Sequence, residues 1–182
     1  TVAFAAHSIA LTVEQAFYIP GYGMQTASAT LAGNAIGAND QKRLQALTRM
    51  LITMILVVMT ASGALLFLFA PQLLSIFTKE HEVIALGTVV LRMVAVSEPM
   101  FGVLVILEGI FNGVGDTVKP FYYALFSMWG VRVFLTFLCV HVFHLGLYAV
   151  WGCMIANNVC LGSLFIIRYF RGEWNPLRKE IS

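Results

Sequence analysis

Between Met50 and Ala70 the chain runs for 21 residues without one charged side chain. An apolar run of about 20 residues, wound as a helix, crosses the hydrocarbon core of a bilayer. In lipid the backbone must satisfy its own hydrogen bonds, which a helix does within one segment. The rest of the chain fits such a setting. Its residues are 59% hydrophobic and 11% charged, against roughly 45–50% apolar and about 25% charged in soluble domains. That little charge cannot cover a soluble surface. The expected fold class is an all-α polytopic membrane protein.

Six segments are expected to span: 1–19, 23–38, 50–70, 84–113, 121–142 and 147–167, with a polar, basic tail at 168–182. The first ends at Pro20-Gly21. The second is barely hydrophobic, yet Ala29, Gly33 and Gly37 recur four apart on one face and admit a neighbouring helix closely. A polar loop is expected at 39–45. Pro71 should stop the third span, leaving 72–83 as a short interfacial helix, and Trp174 should lie at the interface. The chain opens at Thr1 inside an apolar run without a basic leader. It therefore reads as a cut through a span of a longer protein rather than a signal peptide. Cys139, Cys153 and Cys160 stand apart in apolar segments, as buried small hydrophobes do.

Six spans put successive loops on alternating sides. Lys42, Arg43, Arg49, Lys119, Arg168, Arg171, Arg178 and Lys179 then share one side, and Lys79 stands alone on the other. Basic residues accumulate beside the cytoplasm, so the tail is expected there and the first span should run outward. Two turns on that side match: Gly33, Gly37 and Asp40, then Gly109, Gly113 and Asp116, each G-x-x-x-G-x-x-D. The glycines permit close helix contact, and each Asp is placed to cap the helix that follows.

These stretches, Ala27 to Asp40 and Glu98-Pro99 through Gly113-Val114-Gly115-Asp116-Thr117, resemble the multidrug and toxic compound extrusion (MATE) family. The resemblance implies twelve spans in two six-helix lobes, of which this chain supplies the C-terminal one, spans 7–12. It also implies a bacterial inner-membrane exporter that antiports small organic compounds against H+ or Na+. The partners implied are the N-terminal six-helix lobe, the lipid bilayer and the organic substrate. No cofactor and no nucleic acid are implied. The family usually carries Arg where this chain has Asn112.

Charged residues inside spans carry the functional expectations. Glu98 lies mid-span beside Pro99, which lacks an N–H and leaves the carbonyl of Ala95 without its helical partner. A carboxylate beside a freed carbonyl suits a proton or a sodium ion; pairing with Arg132 or Asn157 is the structural alternative. Glu14, nearer the outer end, is the second coupling candidate, and Glu108 faces a cytoplasmic cavity or a basic loop residue. Arg92 and Arg132 read as ion-pair partners. Met100, Phe101, Trp129, Arg132 and Asn157 are the candidate cavity side chains, of which Met100, Phe101 and Trp129 suit flat organic cations. His141 and His144 have no further ligand on the same turn, so no metal site is expected. No nucleophile–base pair stands out, so an enzyme is not expected. A flippase for lipid-linked precursors would want a basic cavity, whereas the intramembrane excess here is acidic. A non-transporting membrane scaffold is the remaining alternative.

Overall fold

In a computed structural model, which describes residues 2–179, five helices are long and apolar enough to cross a membrane. They are α1 (Val2–Gly37), α2 (Gln41–Phe77), α3 (His81–Gly113), α4 (Val118–Val142) and α5 (Leu147–Arg171), followed by a single turn, α6 (Pro176–Lys179). The six expected spans are five, because 1–19 and 23–38 form one continuous helix of 36 residues. A proline removes one N–H and orphans one carbonyl, at i−4; it bends a helix but does not end it where both flanks pack. Tyr18 before Pro20 and Gly21 after it are both buried, the latter against Phe101 and Val105 of α3.

The same reasoning corrects the expected stop at Pro71. Helix α2 continues through it to Phe77, the break falls at 78–80, and no separate interfacial helix forms at 72–83. The polar loop expected at 39–45 shrinks to 38–40. Pro71 leaves the carbonyl of Phe67 without its helical donor. Arg92 of α3 fills the gap: its Nε donates to that oxygen at 3.3 Å. Its guanidinium also stands 5.2 Å from the centre of the Phe67 ring. Arg92 thus bridges two helices through a backbone oxygen and a ring, and not through the carboxylate expected for it.

Helix α3 is the centre, packed on α1, α2 and α5, while α4 is the most peripheral span. Its side chains join two apolar clusters. One holds Leu66, Leu74, Leu91, Val94, Ala95 and Trp151. The other holds Phe101, Leu104, Ile110, Phe111, Phe165 and Trp174. Helix α4 includes two wide π turns, Ser127–Val133 and Leu138–Val142. The first holds the buried Ser127 hydroxyl within 2.8 Å of Asn157 Oδ1 on α5.

Helices α1 and α3 run parallel and meet through glycine. A Cβ on Gly109 would collide with Ser28 Oγ and the carbonyl of Gln25, and one on Gly113 with the carbonyl of Ala29. One on Gly33 would stand 3.3 Å from the Gly113 oxygen. The two glycine motifs therefore face each other. Gly37 has open space around it and takes no part in this contact.

The two acids of the motifs differ. Asp40 caps α2, accepting from the Arg43 N–H at 2.9 Å. Asp116 does not cap α4, as expected of it; Thr117 holds that position without a side-chain bond. Instead Asp116 accepts from buried Arg168 at 2.6 Å, and Glu173 joins Arg168 to Lys119. Lys119 holds the Glu173 carboxyl below the usual carboxylate range. Trp174 is buried, not interfacial: it stacks on Tyr169 at 5.5 Å and donates to that residue's carbonyl at 2.9 Å.

Merging the first two spans leaves every basic loop at the same end as before. Only the direction of the first segment changes, since α1 now starts at the end opposite the basic one. The charge bias fits five helices as well as six. The Arg92 contact supplies the test here. In the full-length protein, Arg92→Gln should cost about 1 kcal/mol of thermal stability, the scale of one net hydrogen bond. In a Pro71→Ala background, where residue 71 regains its N–H and only the ring contact remains, the same change should cost clearly less; equal costs in both backgrounds would refute the bridge.

Candidate functional site

The bend in α3 sits at the boundary of the two apolar clusters. Glu98 occupies that boundary with 0% of its surface exposed. Neither carboxylate oxygen has a hydrogen-bond partner among the described residues. Pro99 releases the carbonyl of Ala95 one turn earlier, and Gly63 of α2 lies directly over that oxygen. A Cβ at Gly63 would stand 2.6 Å from it and 3.2 Å from Glu98 Cβ. Backbone, not side chain, therefore roofs the bend. The structural alternatives for Glu98 are not formed: Asn157 is bound to Ser127, and Arg132 belongs to a neighbouring cavity.

That cavity, of about 280 Å³, opens between α1, α3, α4 and α5 and is lined by Glu14, Tyr18, Tyr22, Phe101, Arg132, Met154 and Asn158 among others. Glu14 is buried, and its Oε1 accepts from the Tyr18 hydroxyl at 2.7 Å. The Tyr18 ring lies almost flat on Phe101, with centres 3.9 Å apart and planes at 19°. Tyr22 meets both rings edge-on. A carboxylate held beside stacked aromatic faces can offer a flat cation both charge and ring contact.

Of the expected cavity side chains, Phe101 and Arg132 line this space and Met100, Trp129 and Asn157 do not. Met100 fills the seam between α3 and α5, where a Cβ on Gly162 would stand 2.8 Å from its Cε. Trp129 stands on the outer face, 62% exposed, and Asn157 joins helices. Glu108 lies farther along α3, in a groove of about 490 Å³ with Asn112, Thr117 and Tyr122. Tyr18, Tyr22 and Asn158 were not anticipated. Glu14, Tyr18 and Tyr22 recur every four residues, which puts them on one helical face. That signal is visible only when the chain is read as helical straight through Pro20.

The MatE family model matches residues 1–138. A probable multidrug resistance protein NorM of Thermotoga maritima is 26% identical over 172 residues, covering 94% of this chain and 37% of the relative. The chain thus spans under two fifths of that relative's length. An outward-facing multidrug resistance MATE family transporter of the MOP superfamily superposes with a TM-score of 0.84 at 23% identity, covering 96% of this chain and 39% of that one. An inward-facing one gives 0.82 at 21%, covering 98% and 43%.

The roof over the bend tolerates no added carbon. In the full-length protein, Gly63→Ala should lower stability by about 1–3 kcal/mol through overpacking against a backbone oxygen that cannot rotate away. Thermal melting in detergent measures it. A variant as stable as the parent would show that α2 does not lie on the Ala95 carbonyl.

Proposed function

Because the chain belongs to the multidrug and toxic compound extrusion (MatE) family, we propose that its five membrane-length helices supply most of the C-terminal lobe of a secondary active exporter. The rest of the transporter supplies the N-terminal lobe and closes the substrate cleft. The basic end, with Lys42, Arg43, Arg49, Arg168 and Arg171, faces the cytoplasm of a bacterial inner membrane, in keeping with the bias of positive charge toward that side. Organic, aromatic cations are the cargo and protons or sodium ions the driving species.

The observation that carries this reading is Glu98: a carboxyl group wholly out of water, without a hydrogen-bond partner among the described residues, beside a proline bend. Ionised in such a place, a carboxylate costs several kcal/mol unless a cation accompanies it. A proton or a sodium ion meets that need, and its arrival or departure changes which packing of the bent helix is favoured. A ligand drives a conformational cycle only through such a difference in affinity between states. Glu14, with Tyr18, Tyr22 and Phe101 around it, supplies the cation-binding wall and a second carboxylate. Arg132 on the opposite wall sets the polarity of the cavity. A flippase for lipid-linked precursors is disfavoured, since one arginine beside a buried glutamate is a poor seat for a pyrophosphate.

Reconstituted full-length protein tests the reading. Glu98→Gln should reduce ion-coupled efflux of a cationic aromatic dye to background while leaving insertion and folding intact. Unchanged efflux would remove Glu98 from the mechanism.

A further inference from the structure

A cavity of about 650 Å³ lies at the basic end, between the first turns of α2 and the C-terminal turn of α5. Gln45, Arg49 and Asn175 form its polar wall, and Ile52, Phe170 and Trp174 its apolar wall. Arg49 is exposed and immediately precedes the uncharged run from Met50 to Ala70. Beside it Phe170 is 77% exposed.

The charges at this end are unequally used. Arg168 and Lys119 are committed to Asp116 and Glu173, whereas Arg49 has no ion pair among the described residues. The walls are fixed from within. Thr53 Oγ1 donates to the Arg49 carbonyl at 2.9 Å, and Trp174 is held by Tyr169 through its stack and its N–H. Asn175 is buried, and its Oδ1 accepts from the Leu177 N–H at 3.0 Å. That leaves the Nδ2 end of its amide with protons to donate. A guanidinium, two amides and three apolar side chains thus line one space.

We propose that this cavity binds the phosphate headgroup of an anionic phospholipid, with the acyl chains lying along Ile52 and Phe170. Arginine presents paired donors that match phosphate oxygens, and basic pockets between membrane helices hold anionic headgroups in this way. A free phosphate ion would use the same donors but not the apolar wall. Binding of lipid here is independent of ion coupling at Glu98, so either reading stands or falls alone.

Native mass spectrometry of the full-length protein, titrated with phosphatidylglycerol or phosphatidylcholine, tests the site. Wild type should retain phosphatidylglycerol selectively, and Arg49→Gln should weaken that retention about tenfold, the loss of one charge-assisted contact. Gln45→Ala, an exposed position with little effect on folding, should weaken it by a smaller factor. Arg43→Gln, on the same helix but outside the cavity, should leave it unchanged. The proposal is overturned if Arg49→Gln retains the lipid as wild type does. It is equally overturned if Arg43→Gln loses as much, if phosphatidylcholine binds as well, or if millimolar inorganic phosphate displaces the lipid completely.

Discussion

In a bilayer a buried carboxyl group has to find its partner within the protein, and Glu98, where the function is proposed to lie, has none among the described residues. Three of its long helices carry an interior proline, and each proline orphans a carbonyl. At Pro71 the orphan, on Phe67, is taken up by Arg92. At Pro99 the orphan, on Ala95, lies against Gly63, and the carboxyl group next to it has no hydrogen-bond partner among the described residues. The Pro71 bend is tied off by a neighbouring side chain; the Pro99 bend is the one where ion coupling is proposed.

The packing around α3 makes that difference possible. Gly109 and Gly113 bring α1 to within backbone contact at the basic end, Gly63 does the same for α2 near the middle, and Gly102 packs on the side chains of Ile55 and Met59. Such contacts leave no slack for side chains to rearrange, so a change at the bend moves helices and not rotamers. The aromatic cavity at Glu14 shares Phe101 with this helix, three residues from Glu98. A shift in α3 therefore reaches the Tyr18–Phe101 stack without an intermediate.

Much of the architecture was legible in the residues. The last three spans, the Asp40 cap and the shared end of the two glycine motifs follow from hydropathy, spacing and turn chemistry. The errors in the helix boundaries have one source. Pro20 and Pro71 were read as stops, although in membrane helices the orphaned carbonyl can be tolerated or served from a neighbouring helix. Dividing α1 at Pro20 also concealed the Glu14–Tyr18–Tyr22 face and turned the first segment around. The pairing of Asp116 with Arg168 spans 52 positions, and nothing local distinguishes that aspartate from the one that caps α2. Arg92 looked like half of an ion pair because sequence shows charges more readily than free carbonyls.

Infrared difference spectroscopy on the full-length transporter addresses the central claim most directly. The expected result is a protonated-carboxyl band, assigned to Glu98 by its absence in the glutamine variant, that disappears when the ion gradient drives the protein from one conformation to the other. A Glu98 that stays in one protonation and ligation state throughout the cycle, or that titrates as a carboxylate in water does, would contradict it.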